Sequence, residues 1–121
     1  MTMHNNSISI VIPFYNAREF VTQSVQSALE QPETGEVLLI EDDSPDGGLE
    51  VCQGLANKYT KVRLMRHPDK CNHGAAASRN LGIKNTNLPF IAFLDADDYY
   101  LPGRFTKTKE RFNADFSVDG V

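Results

Sequence analysis

Short apolar runs alternate with stretches of helical spacing, and this alternation constrains the fold more than any other feature of the chain. "ISIVIPF" (8–14) is compact and β-branched and reads as a buried strand, "EVLLIE" (36–41) reads as a second buried strand, and "KVRLMRH" (61–67) and "PFIAFL" (89–94) read as a third and a fourth. The third alternates more and reads as nearer an edge. Between the first two, Ala17, Phe20, Val21, Ser24, Val25, Ala28 and Leu29 fall on one helical face. Asn16 followed by Glu19 predicts an N-cap and capping box, and Pro32 and Gly35 predict the stop. "GGLEVCQGLANKY" (47–59) predicts a second helix with Gly54 inside it. "NHGAAASRNLGIKN" (72–85) predicts a third, and "PGRFTKTKERF" (102–112) a short charged fourth. The closing "ADFSVDGV" (114–121) reads as a fifth strand.

The expected order is therefore β-α-β-α-β-α-β-α-β. Strands alternating with helices imply an α/β fold, a mostly parallel sheet with helices on both faces. A length of 121 residues suits one domain. In such sheets ligands bind beyond the carboxyl ends of the strands, near the point where strand order reverses.

The polar motifs fall at those ends. "PFYN" (13–16) closes the first run, "EDDSPD" (41–46) the second and "DADD" (95–98) the fourth. Carboxylates are hard oxygen ligands suited to Mg²⁺ or Mn²⁺, and magnesium usually takes only one or two from the protein. Asp95, Asp97 and Asp98 can supply that number. A D-x-D alone is equally a turn in which Asp97 or Asp98 caps the next segment. In "EDDSPDGG", Ser44 or Asp46 is expected to cap the helix starting near Gly47. Asp42 follows the strand directly, where a carboxylate can accept a hydrogen bond from a ligand N–H. Tyr15 can stack on a flat base or pack on the next helix. Arg79, on a helix whose small residues Gly74–Ala77 permit close approach, can reach a diphosphate or pair with an aspartate. His67 and His73 look isolated, at loop or surface positions, and Lys58, Lys61, Lys107 and Lys109 read as solvated faces.

A net charge of −4 argues against broad nucleic-acid binding, which needs clustered Lys and Arg. Cys52 and Cys71 have no short pair spacing, so neither a disulfide framework nor a zinc site is expected, and a reduced cytoplasmic setting is the simplest reading. The first apolar run is too short for a signal sequence or a membrane span.

Taken in order, "SIVIPFYNA", "EDDSPDGG", "NHGAAASRNLGI" and "FLDADD" resemble the nucleotide-sugar-binding half of family 2 glycosyltransferases, which have a GT-A fold. The resemblance runs from Ile8 to about Val121. It implies that Pro13 and Tyr15 lie against the nucleobase, usually uracil, and that Asp42 contacts the base. Arg79 and the Gly74 region would border the nucleotide, Asp95 would face the ribose, and Asp97 would face a divalent metal, Mn²⁺ or Mg²⁺, with Asp98 assisting. The implied partners are a nucleotide-sugar donor and a carbohydrate or lipid-linked acceptor, with no nucleic acid. The implied setting is polysaccharide biosynthesis in the cytoplasm, with membrane association of a longer protein at the inner face left open. Family members transfer the sugar with inversion, using the metal as Lewis acid and a carboxylate as base.

Two departures matter. The family often carries "DDGS" where this chain has "EDDSPD", with Glu41 and Asp43 flanking Asp42. In the family the acceptor site and base lie well downstream of the D-x-D, and only a short stretch follows Asp98 here. The expectation is a donor-binding part that holds nucleotide and metal, transfers no sugar alone and contains no nameable base. UDP is favoured by the family; the residues also admit another pyrimidine or a GDP donor. Rival readings fit less well. Haloacid-dehalogenase-like phosphatases place Thr or Val where Tyr99 stands, on the first strand. Receiver domains need an acidic pair after strand one and a Lys after strand five. A non-catalytic binding or interaction domain of the same fold is the remaining alternative.

Overall fold

A computed structural model describes residues 2–119. Its elements run β1 (Ile8–Phe14), α1 (Val21–Leu29), β2 (Thr34–Glu41), α2 (Gly48–Lys58), β3 (Val62–Arg66), α3 (Ala75–Lys84), β4 (Phe90–Phe93) and α4 (Thr106–Asp119). The sheet order is β3-β2-β1-β4, and every pairing is parallel. β3 is an edge strand, as its alternation predicts. The chain builds outward from β1 to β3 and then crosses to place β4 on the other side. Strand order thus reverses between β1 and β4, so the crevice beyond their carboxyl ends is the expected ligand position.

Successive side chains point to opposite faces, and both faces of β1 and β2 are covered, while Ile91 and Phe93 of β4 stay exposed. Ile10, Ile12, Phe14, Val37 and Leu39 pack with Val21, Val25 and Ala28 of α1 and with Cys52 and Leu55 of α2. On the other face Val11, Leu38 and Ile40 pack with Leu81 of α3 and with Met65. That double burial explains why β1 and β2 read as continuous apolar runs. Gly82 lets α3 lie against β1: a Cβ there would collide with the Val11 side chain.

Three local expectations are corrected. The predicted fifth strand over 114–121 is helical as far as Asp119, because α4 continues through it; residues 120 and 121 lie outside the described residues. No Pro or Gly interrupts the chain from Thr106 to Asp119, and tertiary contacts fix the helix. Phe112 stacks edge-on against Phe90, centroids 5.0 Å apart. Lys109, expected on a solvated face, instead reaches the buried Glu33 carboxylate at 2.9 Å.

The Asn16 cap also fails. α1 begins at Val21, after Phe20, with no side-chain cap. Asn16 takes a left-handed φ of 53°, and its N–H donates to the Ser44 hydroxyl at 2.8 Å. The Arg18 N–H donates to Asp46 at 2.9 Å. The 44–46 loop therefore claims this segment before a capping box can close. Asp46 also accepts the Gly48 N–H at 2.9 Å, which anchors the start of α2.

Candidate functional site

A cleft of about 350 Å³ opens beyond the carboxyl ends of β1 and β4. Pro13, Tyr15, Asn16 and Phe20 form one side, Asp42 and the α3 residues Ala75 and Ser78 another, and Asp95 to Asp97 a third. Of the residues singled out from sequence, Pro13, Tyr15, Asp42, Asp95 and Asp97 are brought together here. Asp98 lies in an adjoining hollow that shares Asp95 and also contains Tyr99 and Arg104. Arg79 is half-buried on α3 outside the cleft lining, with no hydrogen bond or ion pair to any described residue.

The turn after β4 is firmly seated. The Leu94 N–H donates to the Val11 carbonyl at 3.1 Å, and the Asp98 N–H to the Asp95 carbonyl at 3.0 Å. Ser24 donates to the same Asp95 carbonyl at 3.2 Å. Beneath it, the Tyr100 N–H donates to Ser27 and its hydroxyl to the Phe93 carbonyl at 2.6 Å. Burial pushes the Tyr100 phenol up to about 12, so it stays a neutral donor. Ala96 is buried between Asp95 and Asp97, which turns both carboxylates outward. Neither carboxylate has a hydrogen bond or ion pair among the described residues. Among the described residues Asp98 accepts only the Tyr99 N–H, at 2.8 Å.

The carboxylates at the carboxyl end of β2 are arranged differently. Asp42 is 2% exposed. One of its oxygens accepts the His73 N–H at 2.7 Å, and the other accepts the Gly74 N–H at 2.9 Å and the Asn72 amide at 3.1 Å. Gly74 has a φ of 89°, a conformation glycine adopts without strain. Glu41 is buried as well and accepts the N–H groups of Asp43 and Ser44 and the Arg66 guanidinium. Asp43 sits at a φ of 56°, which Asp tolerates better than most residues. Burial pushes the Asp46 carboxyl up, yet hydrogen bonds from Ser44, Arg18 and Gly48 together outweigh it and hold the group below the usual carboxylate range.

Three contributors were not singled out from sequence as site residues. Phe20, assigned to a packed helical face, is half exposed and lines the cleft because α1 starts one residue later. Ser78 is fully buried on α3 and still contributes to the lining. His67, expected at a loop or the surface, is 7% exposed, with Nε2 3.0 Å from the Ser78 hydroxyl. The register was the available signal: Glu41 pairs with Arg66, so the residue after each strand must emerge beside the other.

Exposed carboxylates are hard oxygen donors, the chemistry a divalent cation requires. Among the described residues no group of three His, Cys, Asp or Glu side chains gathers to hold a metal. Magnesium and manganese sites built on one or two carboxylates complete their shells with water and substrate phosphates, and Asp95 and Asp97 fit that kind of site. No helix among the described residues is long and apolar enough to cross a membrane.

Comparison with known proteins gives a consistent result. The chain is 33% identical over 114 residues to the succinoglycan biosynthesis protein ExoU of Rhizobium meliloti, covering 94% of this chain and 33% of ExoU. It is 31% identical over 112 residues to the minor teichoic acid biosynthesis protein GgaB of Bacillus subtilis, covering 90% of this chain and 12% of GgaB. Among solved structures, S. aureus TarS 1-349 in complex with UDP-GlcNAc superposes with a TM-score of 0.70 at 25% identity, over 88% of this chain and 30% of that one. A mannosyltransferase from Pyrobaculum calidifontis in complex with GDP-Man and Mn²⁺ shares the fold, with a TM-score of 0.72 at 18% identity, over 88% of this chain and 32% of that one. The chain thus spans a third or less of the length of these proteins. The family model described as "Glycosyl transferase family 2" matches residues 9–121. With its parallel GT-A sheet and its acidic turn after β4, the chain belongs to glycosyl transferase family 2.

Proposed function

We propose that this chain is the donor-binding part of an inverting glycosyltransferase and holds a nucleoside diphosphate sugar, with UDP the favoured nucleotide, in the cleft beyond β1 and β4. The observation that carries this reading is the pair of exposed carboxylates, Asp95 and Asp97, unpartnered on a firmly seated turn beside the exposed ring of Tyr15. Like charges left close together without a protein partner suit a site completed by a cation and a ligand. The UDP-GlcNAc in TarS and the GDP-Man with Mn²⁺ in the Pyrobaculum enzyme support the same class of ligand.

In this reading Tyr15 and Pro13 flank the base, and Phe20 adds a second exposed aromatic wall. Asp95 accepts a hydrogen bond from the ribose. Asp97, with Asp98 assisting, holds Mn²⁺ or Mg²⁺, which when bound would neutralise the departing diphosphate. Arg79, half-buried and without a partner among the described residues, is available to the nucleotide's anionic end. Asp42 is committed to the 72–74 loop through both oxygens, so it shapes the floor beneath the base. The acceptor, a carbohydrate or a lipid-linked sugar, would supply the attacking hydroxyl, and the base that deprotonates it is not assigned to any residue described here.

Calorimetric titration with UDP and GDP, with and without Mn²⁺, tests the reading. The expected result is metal-dependent binding of a nucleotide that weakens at least about tenfold in Asp97→Ala. Binding indifferent to metal, or none at millimolar nucleotide, would favour a non-catalytic domain of the same fold.

A further inference from the structure

We infer that His67 is a positioning residue for nucleotide binding, acting through Asp42 and Ser78 without entering the cleft itself. This rests on the reading of the cleft as a nucleotide-sugar site and deepens it.

The argument begins with register. Glu41 of β2 pairs with Arg66 of β3, so Asp42 and His67 leave the sheet side by side. The imidazole is nearly buried, and its Nε2 lies 3.0 Å from the Ser78 hydroxyl and 3.5 Å from an Asp42 oxygen. One nitrogen therefore ties the end of β2 to α3. The other links run through the loop between them. The His67 carbonyl accepts the Lys70 N–H at 2.8 Å. The His67 ring lies against the His73 ring, centroids 4.4 Å apart and tilted by 37°. His73 is held in turn by the Asp69 carboxylate at 2.8 Å, and its backbone N–H is one of those bound by Asp42.

The consequence is geometric. Asp42, Ala75 and Ser78 all line the cleft, and each is fixed by a path that includes His67 or the loop it braces. The distance of the α3 wall from β1 and from the Asp95 turn thus depends on an imidazole that touches no solvent-filled part of the site. The trio is not a hydrolytic triad. Ser78 and Asp42 approach the same ring nitrogen, whereas a triad needs the serine and the carboxylate on opposite nitrogens.

Two substitutions separate positioning from bulk. His67→Leu keeps most of the volume and removes both nitrogens; His67→Gln keeps a polar nitrogen near the place of Nε2. UDP is titrated into each with Mn²⁺ present, and thermal melts are recorded alongside. The expected result is a loss of affinity of about tenfold in His67→Leu, recovered to within about threefold of the wild type in His67→Gln. Wild-type affinity in a folded His67→Leu protein overturns the inference, and so does a His67→Gln protein no better than His67→Leu. If His67→Leu does not fold, Ser78→Ala decides. It cuts one arm of the bridge and should weaken UDP binding about threefold while shifting the amide resonances of His73 and Gly74; unchanged affinity overturns the inference. Failure of the wild type to bind either UDP or GDP would overturn the parent reading and this inference together, whereas wild-type binding with an indifferent His67→Leu removes this inference alone.

Discussion

Two groups of carboxylates occupy the same edge of one sheet and meet opposite fates. Glu41 and Asp42, at the carboxyl end of β2, are buried and accept hydrogen bonds on every oxygen. Asp95 and Asp97, after β4, are exposed, with no bond from the described protein to either carboxylate. Residue type is the same or nearly so, and so is position relative to a strand end. What differs is the number of backbone N–H groups brought against them. A buried carboxylate without partners is costly, so the first group is tolerable only because loops 43–44 and 72–74 wrap around it. The second group remains in water and stays available to a ligand. An acidic motif at a strand end is therefore not one kind of feature: one instance holds the scaffold, and the other faces the chemistry.

The largest effect expected from this contrast is at Asp42. Asp42→Ala leaves the N–H groups of His73 and Gly74 and the Asn72 amide without their acceptor. It should destabilise the protein by about 3 kcal/mol in urea unfolding. The matching change on the other side, Asp95→Ala with Asp97→Ala, should move stability by no more than about 0.5 kcal/mol, because the side chains are exposed and unpartnered. Equal losses at the two places would break the comparison.

A smaller effect concerns acid. Burial pushes the Glu36 carboxyl up, but hydrogen bonds from Ser9, the Asn87 N–H and Arg63, with the Arg63 charge, outweigh it and leave the group below its ordinary value of 4.5. A carboxyl whose folded pKa is depressed contributes stability above its unfolded pKa and loses it as pH falls through the folded one. The Glu36 contribution should therefore be present at pH 5 and above and fade below about pH 4. Glu36→Gln should flatten the fall in stability over that range, measured by urea unfolding at a series of pH values. An unchanged slope would show that the Ser9–Glu36–Arg63 cluster holds no charge-dependent stability.

Much of the architecture was legible in the chain. Apolar runs such as "ISIVIPF" and "EVLLIE" are continuous because both sheet faces are buried, and that marks central parallel strands. The expected β3 edge position also follows from its alternation. Other local signals were outweighed. Asn16 and Glu19 spell a capping box, yet Ser44 and Asp46 bind the Asn16 and Arg18 N–H groups first. "ADFSVDGV" alternates like a strand over a few residues, yet the helix before it continues through most of it, docked by Phe112 and Lys109.

By itself the sequence determined the order of elements, the parallel sheet and the placing of the acidic motifs at strand ends, because apolar periodicity and turn chemistry are local. Only the tertiary structure decided which acids are free. Asp42 is satisfied by N–H groups 31 and 32 positions away, and Glu41 by a guanidinium 25 positions away. Those partners arrive through the β2–β3 register and the seating of α3, and hydrogen-bond satisfaction is a property of that assembled neighbourhood.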